Sequence, residues 1–155
     1  MASNRHLGRI VALQTLYEFE FRKEVRDDTV DQADILTRNL EKYESSVDDI
    51  DFVKNLVSGV LNRVAELDEL LRPLAPEWPL EQIARIDRAV LRIGLYELMF
   101  SEESVPPKVV INEAVELAKA FGSDNSGKFV NGVLGTAYRI STRSEERRVG
   151  KECRS

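Results

Sequence analysis

An all-α fold follows from three features of the sequence. Apolar residues recur every three or four positions along most of its 155 residues, the spacing that lines one face of a helix. Leu, Val, Ile, Glu and Arg are abundant, and alternating β-branched runs are scarce. Prolines gather between the periodic segments, where they stop one helix and start the next. The length and a 43% hydrophobic content suffice for one compact domain or two small packed subdomains.

The first helix is predicted from about Asn4, a good N-cap, to Lys23, with Ile10, Leu13, Tyr17 and Phe21 inward. After the charged turn "KEVRDDT", residues 30–43 form a weakly amphipathic helix anchored by Ile35, Leu36 and Leu40. In "SSVDDIDFVKNLVSGVLNRVAELDELLRPL", Ser46 or Asp48 is the predicted cap. Ile50, Val53, Val57, Val60, Leu61, Val64, Leu67 and Leu71 then give one long inward stripe. Gly59 within it marks a close helix contact or a kink. Pro73, Pro76 and Pro79 set the boundary between an N-terminal helical subdomain, about 4–73, and a C-terminal one, about 79–140.

The second half opens with a helix over about 86–100, nearly apolar all round and predicted to be the central element. Pro106 and Pro107 restart the chain into a helix ending at Phe121, with Val110, Ala114, Leu117 and Phe121 inward. A last helix runs from about Ser126 to Ile140, bringing the number of helical segments to about seven. It carries Gly127, Gly132 and Gly135, and an interior glycine costs about 1 kcal/mol relative to alanine. Close packing against a neighbouring helix is the predicted compensation, with Phe129, Val130, Val133, Leu134 and Ala137 inward.

Between these last helices, "GSDNSGKF" nearly spells a phosphate-binding loop, with Lys128 where the phosphate-gripping lysine stands. Two requirements fail. The residue after the lysine is Phe129 rather than a magnesium-holding Ser or Thr, and a helix rather than a strand feeds the loop. Gly122 reads instead as a helix stop.

Charge restricts the partners. With 22 Lys+Arg against 27 Asp+Glu the net is -5, wrong for diffuse attraction to phosphate. The tail "TRSEERRVGKECRS" holds five basic and three acidic residues, which leaves 17 and 24, a net of -7, for residues 1–141. Any nucleic-acid contact must therefore be local, and a second protein would add affinity. No apolar stretch approaches the roughly 20 residues of a membrane span, and the N-terminus lacks the apolar core of a secretory signal. A cytoplasmic location is predicted. Cys153 is the single cysteine, so there is no internal disulfide and no cysteine metal site.

Three stretches together resemble the NusB family of bacterial transcription antitermination factors. They are "GRIVALQTLYEFE", "IDRAVLRIGLYELMF" and "VPPKVVINEAVELAKAFGSDNSGKFVNGVLG", in the family's order over residues 4–140. The resemblance implies an all-α fold of two helical subdomains, no catalysis and no cofactor. It implies pairing with the small-subunit ribosomal protein that doubles as NusE, and joint binding of the single-stranded boxA element of nascent ribosomal RNA transcripts. That complex engages elongating RNA polymerase, with other Nus factors, and suppresses premature termination.

By the same resemblance the RNA-binding residues are Arg5, His6, Arg9, Gln14 and Tyr17 in the first helix, Asp87 at the head of the central one, and Asn125, Ser126, Lys128 and Phe129 in the loop. Physical chemistry is compatible with several of these roles. Arg5 and Arg9, one turn apart, can reach successive phosphates. Lys128 and the amides opening the last helix suit a phosphate, and Phe129 offers a face to an unstacked base. Both chain ends would then share one strip of RNA. For Phe129 and Tyr17 a core position is the competing reading, and for Asp87 a favourable charge at a helix N-terminus.

This sequence departs from the family at Leu7, where another arginine is usual, and at Asn125, where aspartate is common. His6 has no ligand or acid beside it in sequence, which argues against a metal or catalytic role. Residues 142–155 do not resemble the family's tail and are predicted to be disordered or non-native. Two alternatives stand beside RNA binding: a helical protein-binding adaptor without RNA contact, and the targeting module of an RNA cytosine methyltransferase, for which the chain is too short.

Overall fold

The computed structural model describes residues 2–43, 46–101 and 105–153, with side chains described within 5–141 of those segments. The seven α-helices among the described residues are α1 (Ala2–Glu24), α2 (Gln32–Lys42), α3 (Ile50–Asn62), α4 (Val64–Leu74), α5 (Arg85–Met99), α6 (Pro107–Phe121) and α7 (Ser126–Cys153). A single 3-10 turn, Leu80–Gln82, precedes α5. No strand occurs among the described residues.

Local chemistry sets the helix starts. Asp31 accepts the Ala33 N–H at 2.9 Å to cap α2, and Asp49 accepts the Phe52 N–H at 2.9 Å to cap α3. The α3 cap is therefore Asp49, neither Ser46 nor Asp48. The long stripe predicted after it is also broken in two at Arg63, whose backbone (φ -121, ψ 19) leaves the helical region. That guanidinium settles over the Phe100 ring, 4.4 Å from its centroid. The kink lets both halves of the stripe reach the same core, where Val53, Val57, Val60, Leu67 and Leu71 are all buried.

α5 is the hub. It packs against α1, α3, α4, α6 and α7, and Val90, Leu91 and Leu95 are fully enclosed. One continuous hydrophobic cluster joins residues before and after the prolines at 73–79. The helix is not apolar all round, however, because Asp87, Arg88 and Glu97 are also buried on it. Their neighbours fix an antiparallel register between α1 and α5. Arg9 pairs with Glu97, Glu20 with Arg88 and Arg92, and Glu24 with Arg85. Arg92 also holds Asp68 of α4 through bonds of 2.9 and 3.0 Å. Burial pulls the Arg92 pKa down, but the Asp68 and Glu20 carboxylates outweigh it and hold the guanidinium above its ordinary value.

Gly127 of α7 does what its cost suggested, since a Cβ there would lie 3.0 Å from the Lys119 Cγ of α6, but Gly132 and Gly135 do not. A Cβ on Gly132 would meet nothing within 4 Å, and one on Gly135 would meet only Arg139 at 3.9 Å. The close approach to α7 is made by Gly94 of α5, where a Cβ would lie 2.6 Å from the Leu134 Cδ1. Gly59 performs the same service between α3 and α5, since its Cβ would stand 2.2 Å from the Tyr96 Cζ. Of the predicted inward aromatics, Phe21 and Phe121 are 42% and 38% exposed. α7 continues past Ile140 to Cys153, so the tail predicted to be disordered carries helix. Its Arg, Glu and Lys are good helix formers and no proline interrupts them.

Candidate nucleic-acid interface

The residues predicted for RNA binding separate into two groups. The first surrounds a cavity of about 320 Å³ between the head of α5 and the α6–α7 loop. Asp87, Asn125, Ser126 and Phe129 line it, with Trp78, Gln82 and Ser123 among their neighbours. The loop is shaped by Gly122, whose N–H donates to the Ala118 carbonyl at 2.8 Å and closes α6. Its φ of -98 lies outside the left-handed region, so glycine is needed here for space. A Cβ would lie 2.5 Å from the Ser126 Oγ and 2.7 Å from the Ala118 oxygen.

Ser126 then turns inward. Its Oγ accepts the Ser123 N–H at 2.9 Å, and the residue is 1% exposed. The hydroxyl ties the loop to the first turn of α7, so Ser126 shapes the cavity wall rather than projecting from it. Asn125 and Lys128 are exposed, and Phe129 is half-buried against the core. Asp87 is 9% exposed, and its Oδ1 has no hydrogen-bond partner among the described residues.

The second group lies at the start of α1. Arg5 stands over the Phe52 ring at 4.8 Å and is 3.9 Å from the Asp49 carboxylate. The His6 Nδ1 lies 2.6 Å from the Glu113 Oε2 on α6. Arg9 is the clear correction, being a core residue at 2% exposure. Its Nε and a terminal nitrogen donate to the two Glu97 oxygens at 2.9 and 2.7 Å, and the guanidinium also lies 5.2 Å from the Phe52 centroid. In this arrangement the guanidinium faces the interior rather than solvent. The reason is readable in hindsight: position 9 precedes the buried Ala12, Leu13 and Leu16 by three, four and seven residues, which puts it on their face.

Gln14 and Tyr17 are half-buried and share a stripe of α1 with Phe21. Phe21 in turn carries the Arg85 guanidinium 5.3 Å from its ring centroid. Arg85 follows the cavity-lining Ala84, so this stripe approaches the head of α5. From Glu113, where His6 is held, to Gly122 at the loop is roughly 13 Å of helix rise.

Two features escaped sequence reasoning. Trp78 lines the cavity and is 56% exposed; its position between Pro76 and Pro79 was read only as a boundary. The carboxylates that neutralise the N-terminal cations, Glu97 and Glu113, come from distant helices. A solitary glutamate inside the apolar run "GLYELMF" was the available signal for Glu97. A larger groove, about 880 Å³, opens among α1, α3, α4 and α5 beside Leu16, Phe19 and Val64, and none of the predicted residues lines it.

Comparison with known proteins resolves the family. The profile of the NusB family matches residues 6–139. The chain belongs to the NusB family. A transcription antitermination protein NusB from Chloroflexus aggregans is 48% identical over 137 residues, covering 88% of this chain and 87% of that protein. Another, from Roseiflexus castenholzii, is 44% identical over 151 residues, 97% of this chain and all of its own. That alignment extends into the residues after Ser141, whereas the family profile ends at residue 139. Among solved structures, the antitermination factors NusB and NusE in complex with dsRNA contain a chain that superposes with a TM-score of 0.77 at 25% identity. It covers 90% of this chain and 99% of its own length.

Among the described residues, no helix is long and apolar enough to cross a membrane, and no cluster of three or more His, Cys, Asp or Glu could hold a metal.

Proposed function

We propose that this NusB-family chain is an antitermination factor that pairs with the ribosomal protein acting as NusE, and that the two together bind the single-stranded boxA element of nascent ribosomal RNA. The bound complex then joins elongating RNA polymerase. The observation that carries this reading is the cavity itself. It draws the head of α5 and the α6–α7 loop together around Asp87, Asn125 and Phe129, with the exposed Lys128 one residue from Phe129. An aromatic beside unpaired polar groups suits an unstacked base, whereas the edges of a paired base are already occupied. The solved relative in complex with NusE and dsRNA supports NusE and RNA as partners in general, and the single strand is this proposal's own step.

Electrostatics explains why a protein partner is needed. Arg9 is fully paired inside, while Arg5 and His6 each face a carboxylate. Few cations therefore remain for phosphate on a chain of net charge -5. The direct test is filter binding of a boxA-like single strand, with and without NusE. Retention that is weak alone and strengthened by NusE is the expected result. Equal retention of a scrambled strand removes the boxA assignment, and NusE binding without any RNA retention leaves the adaptor reading.

A further inference from the structure

The helix α1 packs along α2, α3 and α5, and its first turns also reach α6 through one carboxylate, that of Glu113. The Glu113 Oε2 lies 2.6 Å from the His6 Nδ1 and 3.9 Å from a terminal nitrogen of Arg9. A carboxylate only accepts hydrogen bonds, so the imidazole holds its proton on Nδ1 and donates it to Glu113. Bonds of this kind to an ionised acceptor are the short, strong ones.

Two other carboxylates face the same cations, and they differ in what else they do. Glu97 is enclosed, 3% exposed at the side chain, and holds Arg9 through both oxygens. Asp49 caps α3 with one oxygen and stands 3.9 Å from Arg5 with the other. Glu113 is more open than Glu97, at 18%, and its partner His6 is 38% exposed. An anion arriving from solvent can therefore compete for the His6 N–H, which it cannot do for the Arg9–Glu97 pair.

From this geometry we propose that Glu113 is a resident stand-in for an RNA phosphate, occupying the His6 N–H until the strand displaces it and so setting the affinity of the N-terminal arm. Asp49 does the same for Arg5, more weakly. The inference rests on the RNA reading above and adds the groups that oppose it. Carboxylate and phosphate oxygens accept from the same donors, so binding at the arm exchanges one anion for another instead of filling a vacant donor. Such an exchange yields less than pairing with a free cation, and it keeps the arm from holding nucleic acid by charge alone. A strand succeeds when it gains contacts elsewhere at the same time. The rise of α6 from Glu113 to the loop, roughly 13 Å, puts the arm and the cavity within reach of one short strand.

Glu113→Gln removes the charge and keeps both the shape and an acceptor for His6. Its affinity for a boxA-like single strand is measured by filter binding with full-length protein and NusE at fixed salt, beside a thermal melt. Binding about fivefold tighter than wild type is expected, the effect of one partly screened charge at short range. In a His6→Ala background most of that gain should vanish, because the group it frees is gone. Asp49→Asn is the companion at Arg5: asparagine retains the α3 cap, and a gain of about twofold is expected. A folded Glu113→Gln that binds RNA no better than wild type overturns the proposal, showing a carboxylate that positions His6 for the ligand. So does a gain that persists in full without His6, which would come from repulsion at a distance. Should Glu113→Gln fail to fold, Asp49→Asn decides, and an unchanged affinity there counts against resident carboxylates as competitors. In each of these cases wild-type retention of the strand leaves the RNA reading intact, whereas its loss ends both.

Discussion

Arg9 and Glu97 stand 88 residues apart in the chain and meet in the interior, two parallel hydrogen bonds of 2.9 and 2.7 Å joining the guanidinium to both carboxylate oxygens. The pair links the first helix to the central one where Phe52 closes over it. Removing one partner strands the other charge away from water. Arg9→Ala is therefore expected to destabilise the protein by about 3–5 kcal/mol, lowering the thermal midpoint by roughly 10 °C. The double substitution Arg9→Met, Glu97→Leu should restore most of that loss. An Arg9→Ala protein that melts like wild type but no longer binds RNA would instead place Arg9 at the ligand.

Lys128 has the opposite character. It is exposed, and among the described residues no carboxylate lies within ion-pair distance. Lys128→Ala should leave the melting temperature unchanged and weaken RNA binding, with the slope of log affinity against log salt shallower by about 0.7. An unaltered slope would show that this lysine touches no phosphate.

The Asn125 side chain is exposed at the cavity rim. Asn125→Asp sets a negative charge beside the proposed RNA path, a repulsion on the order of 1 kcal/mol in a wet site. About fivefold weaker RNA binding at fixed salt is expected. Equal dissociation constants for the two proteins would remove this loop from the interface.

Two glycine substitutions should move stability in opposite directions. Gly94→Ala drives a methyl group into Leu134, a fully buried neighbour, and overpacking of this kind costs about 1–3 kcal/mol. Gly132→Ala adds a methyl group with nothing within 4 Å and should gain up to about 1 kcal/mol from helix propensity. Urea denaturation of both variants tests the assignment of the close approach to α5.

Acid titration should expose the turn after α1. Hydrogen bonds from Thr29 and Arg22 lower the Asp27 carboxyl from 3.8 to about 2. A depressed folded-state pKa contributes stability above the unfolded value and loses it as pH falls through the folded one. Asp27→Asn should therefore melt below wild type at pH 7, and the difference should shrink between pH 3.8 and about 2. A gap that stays constant across that interval would contradict the linkage.

Helix identity was legible because apolar periodicity is a local property, and every helical segment the spacing gave is helical in the structure, the long third one as two helices and the last one extended to Cys153. The break at Arg63 was not, since nothing at that position disrupts the stripe, and the Phe100 ring its guanidinium covers comes from the far end of α5. Sequence placed Asp87, Asn125 and Phe129 on separate elements, and only folding brings them to one cavity. The burial of Arg9 was not legible because an arginine near a chain end looks solvated until its distant carboxylate is known. The same limit applied to glycine, whose cost is visible at Gly132 and Gly135 while the close approach to Leu134 lies on α5.

The α1–α5 pairing has a consequence for biosynthesis. Arg9 leaves the ribosome 88 residues before Glu97, an interval of several seconds at roughly 5–20 residues per second. Throughout that wait the opening helix lacks the partner that neutralises it. Docking of the nascent chain is thus timed by translation of the central segment, and slower elongation lengthens the period in which the N-terminal cation is open to passing polyanions.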